Sequence, residues 1–126
     1  MNTLIELIEK YYDKKRYNIR EFNGRVSLGV PGSLPYHDEG VAVGIRYVGD
    51  GEFVLDDAHT ISDYYELFDM DITNFQSKFD ELTKKYSIKF DGKTMWKSVE
   101  ITEEMDLKEA IDTFVDELFT FAKIQD

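Results

Sequence analysis

The chain contains no cysteine, and this absence removes several classes of chemistry. Disulfide bonds, thiol nucleophiles and zinc sites built from thiolates all require cysteine, so none of them is open to this protein. A cysteine-free sequence is also compatible with a reducing cytosol. With 126 residues, of which 42% are hydrophobic, the chain is long enough to form a core without disulfides or metals. We therefore expect one domain spanning residues 1–126.

Long hydrophobic runs are missing as well. No segment approaches the roughly 20 consecutive apolar residues that a membrane-spanning helix requires. The N-terminal segment interrupts its apolar pattern with Glu6 and Glu9, which is not typical of a signal peptide. These two features predict a cytoplasmic protein.

Positive charge is scarce, because 15 basic residues face 26 acidic ones and give a net charge of -11. The acids are concentrated in two blocks. Residues 49–81 carry 10 acids and 1 base, and residues 100–126 carry 9 acids and 2 bases. Nucleic acids and anionic membrane surfaces bind concentrated basic surfaces, so the composition disfavours direct binding to either.

The local patterns predict an α+β fold with one antiparallel sheet. Thr3 followed by Glu6 forms a capping box at the start of an amphipathic helix. Asn23-Gly24, Gly49-Asp50-Gly51 and Asp91-Gly92 each separate two strand-like runs, which is typical of hairpin turns. The predicted order is helix, four strands, two helices, two strands and helix. It amounts to two to three hairpins packed with about four helices in a single domain.

Further helix starts are indicated by Thr60 with Asp63 and by Thr73 with Gln76, and the last helix is expected to begin near Asp106. We also expect Trp96 to lie in the core. Only one tyrosine of the pair Tyr64-Tyr65 is expected to point inward on its helix, leaving the other exposed as an anchor for a partner.

The hairpin after the third strand has two candidate registers. A two-residue turn at Asp50-Gly51 would set Ile45 opposite Asp56. A three-residue loop instead sets Tyr47 opposite Phe53 and places Leu55 opposite Ile45. We favour the three-residue loop, because a slip by one residue would turn the whole apolar set outward.

The favoured register brings both histidines of the chain to one rim of the sheet, together with three aspartates. The residues of this rim are His37, Asp38, Asp56, Asp57 and His59. Imidazole and carboxylate groups suit a divalent transition metal, and a histidine beside a carboxylate can act as a general base. An enzyme or a small-ligand or metal site at this rim is therefore one hypothesis.

A structural interpretation competes with that hypothesis, and we favour it. Asp57 and Thr60 lie where a strand passes into a helix, so their side chains can cap backbone N–H groups. Asp56 is expected to form a cross-strand ion pair with Arg46, and His59 to be an exposed loop residue. The chain contains no HExxH, GxSxG, P-loop or glycine-rich dinucleotide motif. We therefore expect no enzymatic activity and no cofactor.

Two short motifs carry a resemblance. Leu28-Gly29-Val30-Pro31 precedes a strand pair that ends in Leu55-Asp56-Asp57-Ala58-His59-Thr60, an L-D-D-x-x-T segment. Over roughly residues 25–120 the chain resembles an uncharacterised bacterial and phage domain-of-unknown-function family. The resemblance implies a phage or prophage setting in a bacterial host cytosol, and it supplies no catalytic residues.

Acidic side chains collect on two predicted helical surfaces. The first group is Glu109, Asp112 and Asp116 on the outer side of the last helix, extended by Glu103 and Glu104. The second group is Asp63, Glu66 and Asp69 on the helix after the fourth strand. Unpaired carboxylates at helical spacing can occupy the basic groove of a nucleic-acid-handling protein. The plainer alternative is that these surfaces only confer solubility.

The leading functional hypothesis is a small acidic phage or prophage accessory protein that binds a host protein and inhibits or modulates it. The expected partner is a protein that handles nucleic acid, such as a defence nuclease. A structural subunit of a larger assembly is a third hypothesis. A homodimer is also open, with Phe119 at the edge of the last helix's apolar face as its seam.

Overall fold

A computed structural model describes residues 3–32, 34 and 40–125. It contains one six-stranded antiparallel sheet, in the order β1-β2-β3-β4-β6-β5. The predicted α+β class and the predicted order of helices and strands are confirmed. The elements are α1 (Leu4–Tyr11), β1 (Asn18–Phe22), β2 (Arg25–Val30), β3 (Val41–Gly49), β4 (Glu52–Asp56), α2 (Thr60–Leu67), α3 (Gln76–Tyr86), β5 (Lys89–Phe90), β6 (Met95–Glu100) and α4 (Glu104–Ala122), with a 3-10 helix at Ile72–Phe75 before α3.

The predicted turn at Asn23-Gly24 and the predicted register of the next hairpin are confirmed, but the three-residue loop is wrong, because Gly49 pairs with Glu52 and leaves a two-residue turn at Asp50-Gly51. Asn23 and Gly24 both have positive φ, 50° and 77°, as the tight turn between β1 and β2 requires. In the next hairpin Tyr47 lies opposite Phe53 and Ile45 opposite Leu55, and a bulge lies between Tyr47 and Gly49. This is the register that places the apolar residues of both strands on one face.

The core lies between that face of the sheet and the helices. Val26, Val43, Leu55 and Met95 come from four neighbouring strands and are all completely buried. They form one cluster with helical residues, among them Ile8, Ile61, Phe79, Leu107, Ile111, Phe114, Leu118 and Phe121. The strand residues that alternate with them point to the opposite side of the sheet, which we call the outer face.

Two expectations about aromatic residues are wrong. Met95 is buried, and its neighbour Trp96 therefore points to the outer face, where it is only half-buried under Lys89. Tyr64 and Tyr65 are both buried, although they are adjacent on α2. Tyr65 donates a 2.7 Å hydrogen bond to the Phe121 carbonyl of α4, while the Tyr64 ring packs 4.9 Å from that of Phe68. Tyr65 is therefore buried against α4, and Tyr64 packs against the end of its own helix.

The predicted capping group is confirmed at α1, whereas the threonines predicted to cap the next two helical segments do not do so, although α2 does begin at Thr60. The Thr3 hydroxyl accepts from the Glu6 N–H at 3.3 Å, which is the capping bond that the motif predicts. The same hydroxyl donates to the Glu6 carboxylate at 2.9 Å. At α2 the Thr60 hydroxyl instead hydrogen-bonds both backbone groups of Ala42, at 3.3 and 3.4 Å. Before α3 it is Asp71 that caps the 3-10 helix. Helix α4 begins two residues before the predicted Asp106, at Glu104.

None of the helices in the described ranges combines the length and apolar character needed to cross a membrane.

Candidate functional site

The predicted Asp–His rim is built into the protein scaffold. Asp57 is completely buried, and its carboxylate accepts hydrogen bonds from three backbone N–H groups. The donors are His59 at 3.0 Å, Ile61 at 3.1 Å and Met95 at 3.0 Å. Burial raises the pKa of the Asp57 carboxyl above its ordinary value, against the lowering effect of those three donors. Asp57 therefore caps α2 as expected, and it also ties the start of that helix to β6.

Asp56 forms an ion pair, but with a different arginine from the predicted Arg46. The Arg25 guanidinium donates two hydrogen bonds to the Asp56 carboxylate, at 3.1 and 2.7 Å. Burial alone would raise the pKa of Asp56, yet the hydrogen bonds from Arg25 and from the Ala58 N–H hold it below its ordinary value. The charges of Arg25 and Arg46 act in the same direction.

A glycine explains why Arg25 is the partner. Arg25 lies on β2 and Asp56 on β4, so the ion pair crosses the intervening strand β3 over Gly44, which is directly opposite Asp56. A Cβ atom built on Gly44 would clash with the Arg25 guanidinium. Arg46 is opposite Val54 instead. The glycine inside a predicted strand was the available signal, because such a glycine often marks a close approach by another group.

The remaining members of the rim do not assemble a metal site. His59 is half-buried and, with Ala58, adopts positive φ, 64° and 48°. His37 and Asp38 lie outside the described residues. Across the described ranges, no group of three or more His, Cys, Asp or Glu side chains is arranged to hold a metal ion.

The acidic surface of α4 is less free than the sequence suggests. Glu104 forms a 2.9 Å ion pair with Lys10. Asp112 accepts from the Tyr12 hydroxyl at 2.7 Å and pairs with Lys108 at 2.6 Å. The expectation of a run of unpaired carboxylates is therefore wrong at these two positions. The exposed acids of this group that form no ion pair within the described chain are Glu103, Glu109 and Asp116.

The second acidic group gathers around a groove. Asp63, Glu66 and Asp69 are exposed and line, together with Asp71, an open groove of about 540 Å³ between the end of α2 and the β5–β6 turn. We call it the α2 groove. Its apolar lining is supplied by Tyr65, Met70, Ile72 and Phe90, and its remaining lining residues are Ser62, Gly92 and Lys93. The sequence indicated the acids but not the cavity they surround.

The wall of the groove at the end of α2 is set by a helix-terminating motif. Asp69 adopts a left-handed φ of 56°, and its N–H bonds the Glu66 carbonyl at 3.2 Å. The next N–H, that of Met70, bonds the Tyr65 carbonyl at 2.7 Å. This pair of bonds is the Schellman arrangement, which ends the helix and turns the chain sharply. It places the acids of α2 beside the apolar side chains that follow them.

The opposite wall is held in place by polar contacts. The Ser62 hydroxyl donates to the Lys93 carbonyl at 2.8 Å and so links α2 to the β5–β6 turn. Within that turn Asp91 accepts from the N–H groups of Thr94 and Lys93, and these bonds lower its pKa. Across the groove, hydrogen bonds from the Thr73 hydroxyl and N–H lower the pKa of Asp71. Both walls are therefore preformed.

No family model matches the chain, and neither a curated protein nor a solved structure shows significant similarity to it.

Proposed function

We propose that this protein is a small acidic binding protein and that its α2 groove receives a basic segment of a protein partner. Four carboxylates line the groove, those of Asp63, Glu66, Asp69 and Asp71, against the single basic lining residue Lys93. This combination of an acidic lining and an apolar interior is the observation that supports the proposal. A segment with an apolar side chain between lysines or arginines matches both properties.

The volume of the groove and the negative charge around it suit such a segment. A volume of about 540 Å³ lies within the range of pockets that enclose a small molecule or a few side chains. Carboxylates at the rim would steer a basic partner toward the groove, and the apolar interior would hold an anchor after water is expelled. The exposed acids of α4, Glu103, Glu109 and Asp116, would add to the long-range attraction without forming the contact site.

The partner class follows from the charge. Proteins that bind nucleic acids present basic grooves, so a carboxylate-rich surface competes with the phosphates for the same arginines and lysines. We propose that the bound protein handles nucleic acid and is inhibited or modulated by the contact. The phage or prophage setting is supported by the resemblance of Leu28-Gly29-Val30-Pro31 and of the L-D-D-x-x-T segment. A host defence nuclease is the target we propose for that setting.

The test is capture of the partner from a bacterial host lysate, at low and at high salt, with identification by mass spectrometry. The groove variant carries Asp63→Lys and Glu66→Lys. The matched control carries Glu109→Lys and Asp116→Lys on α4, so both proteins undergo the same change of net charge. Asp69 and Asp71 are left intact, because one ends α2 and the other caps the 3-10 helix.

We expect the wild type and the α4 control to retain one nucleic-acid-binding protein at low salt and to release it at high salt. The groove variant should bind that protein about tenfold more weakly or worse, because two attractive charges become repulsive. Retention by the groove variant, or loss by the α4 control alone, would contradict the groove as the site. Circular dichroism of each variant checks that the fold is intact.

A further inference from the structure

The outer face of the sheet offers a second surface of different chemistry. The helices share the core with the opposite face, so the outward side chains of β1, β2, β3, β4 and β6 remain accessible to different degrees. Phe22 is 78% exposed, and Arg20, Arg46 and Ser98 are exposed as well. This accessible surface lies on the side of the protein away from the acidic helices.

Two pairs of like charges lie on this face. Arg25 of β2 is directly opposite Arg46 of β3, and Glu52 of β4 is directly opposite Glu100 of β6. Like charges in directly opposed positions destabilise an antiparallel sheet. Asp56 neutralises Arg25, whereas Arg46, Glu52 and Glu100 take part in no salt bridge within the described chain.

The order of the strands separates these pairs into two halves. The basic pair lies on β2 and β3, and the acidic pair lies on β4 and β6, in a sheet ordered β1-β2-β3-β4-β6-β5. The boundary between β3 and β4 therefore divides the face into a half with excess positive charge and a half with excess negative charge. Three strands lie on each side of that boundary.

We propose that the outer face binds a second copy of this chain, through a two-fold axis that runs parallel to the strands between β3 and β4. That rotation places β3 of one copy over β4 of the other, and β2 over β6. Arg46 then faces Glu52 of the second copy, and the symmetry repeats this contact. The two residues are offset by two positions, about 7 Å along the strands, which their long side chains can span. Arg25 stays on Asp56 of its own copy, because its guanidinium points away from the end of the strands that carries Glu100.

The same surface thus serves both copies, as an isologous two-fold interface requires. On β2 and β3 the outward residues Ser27, Gly29 and Ala42 carry small side chains or none, which allows close approach there. The net charge of -11 does not prevent this arrangement, since the unpaired acids of α2 and α4 would lie on the two outer sides of the dimer. At each edge Arg20 would approach Lys89 of the second copy, a like-charge contact at the solvent boundary.

Other ligands fit the face less well. A nucleic acid or an acidic peptide would be attracted by Arg46 but repelled by Glu52 and Glu100 on the neighbouring strands. A second copy instead pairs Arg46 with Glu52 in both directions. The proposal is independent of the α2 groove, which lies on the helical side.

The test measures mass in solution by sedimentation and light scattering, from about 1 μM to about 1 mM protein. We expect the mass to rise toward twice that of the 14.8 kDa chain. Arg46→Glu alone and Glu52→Arg alone should each weaken self-association by about tenfold or more, because both attractive contacts of the dimer become repulsive. An equimolar mixture of the two variants should dimerise, since every contact then joins opposite charges.

Two control variants apply the same changes of charge on the helical side, Glu109→Arg and Lys123→Glu. Both should associate like the wild type. The double variant Arg46→Glu with Glu52→Arg should form the homodimer again. That result would show that the single variants lose a contact and are not misfolded. A wild type that stays monomeric across the whole range would overturn the proposal. Single variants that keep the wild-type affinity, or a mixture that stays monomeric, would overturn it too.

Discussion

Two adjacent aspartates at the end of β4 have pKa values that are shifted in opposite directions, because their surroundings differ. Asp57 is completely buried, and its pKa is raised by burial despite three backbone donors. Asp56 faces the other side of the strand, and contact with Arg25 outweighs burial and lowers its pKa. A carboxyl with a lowered pKa in the folded state favours folding at high pH, whereas a raised pKa favours folding at low pH. The two neighbours therefore act in opposite directions as the pH changes.

The first prediction concerns Asp56 and pH. Its folded-state pKa lies below the ordinary value of 3.8, so its contribution to stability is present above that value and is lost as pH falls through the folded-state pKa. Asp56→Asn should lower the free energy of unfolding by about 1 kcal/mol or more at pH 7. The difference from the wild type should shrink as the pH drops from about 4 toward 2. Urea unfolding of the wild type and of Asp56→Asn across this pH range measures the difference in the free energy of unfolding. A difference that does not change with pH would contradict the ion pair.

Residue identity alone predicted part of this site. The capping role of Asp57 follows from a short polar side chain at a strand-to-helix junction, and the structure confirms it. Its contact with Met95 joins residues 38 apart in sequence, so no local pattern could reveal it. The choice of Arg25 over Arg46 depends on the path of a long side chain across Gly44. The contact between Arg25 and Asp56 can be predicted only when the alignment of β2, β3 and β4 is known.

At the scale of elements, one buried ion pair joins the sheet to the last helix. Lys97 of β6 and Glu117 of α4 are 2.7 Å apart, with side chains 14% and 10% exposed. Lys97 also donates to the Tyr86 carbonyl at 3.3 Å. Burial removes both charges from most of their water, so each depends on the other for compensation. Removing one partner should therefore cost more stability than the intact pair adds.

The second prediction tests this dependence. Glu117→Ala should lower the free energy of unfolding by about 3 kcal/mol, because Lys97 is left buried without a counter-charge. Replacing both residues by methionine should cost much less, since no charge then remains to be buried. Chemical denaturation of the two variants gives the comparison. A double variant as unstable as Glu117→Ala would show that packing, and not the unpaired charge, sets the cost.

Element types were easier to predict than element environments. The hairpins at Asn23-Gly24 and Asp91-Gly92 follow from turn residues that tolerate positive φ, and the apolar face of α4 follows from its spacing. The burial of both Tyr64 and Tyr65 and the outward position of Trp96 depend on which neighbours cover each side. That information lies in tertiary packing. The α2 groove escaped prediction for the same reason, because its walls come from segments that meet only in the folded protein.

At the scale of the whole molecule, charge is distributed unevenly. The two acidic blocks, which contain α2 and α4, carry more negative charge than the net -11 of the chain, and the remaining residues are net positive. The outer face of the sheet carries arginines beside its acids. Carboxylates crowded on the helical side repel one another in the folded state more than in the expanded chain. The acidic surfaces that suit a basic partner therefore reduce the stability of the free protein.

The third prediction follows from this repulsion. Adding sodium chloride, from about 10 mM to about 200 mM, should raise the thermal unfolding midpoint, because screening weakens repulsion more than it weakens the few ion pairs. The Glu109→Lys and Asp116→Lys control should show a smaller rise. A midpoint that falls with salt would mean that attractive surface pairs dominate. Differential scanning calorimetry at dilute protein concentration measures both effects.

The contact between Asp57 and Met95 has a consequence for the order in which the chain folds. The β3–β4 hairpin is local and can form while the chain is still being synthesised. The start of α2 cannot be completed then, because one of the three donors to Asp57 is the N–H of residue 95. Until β6 is in place, the Asp57 carboxylate lacks one of its three donors and α2 is only partly anchored. The first half of the chain therefore cannot fold completely before the second half is present. This dependence favours a single cooperative transition over a stable half-folded intermediate.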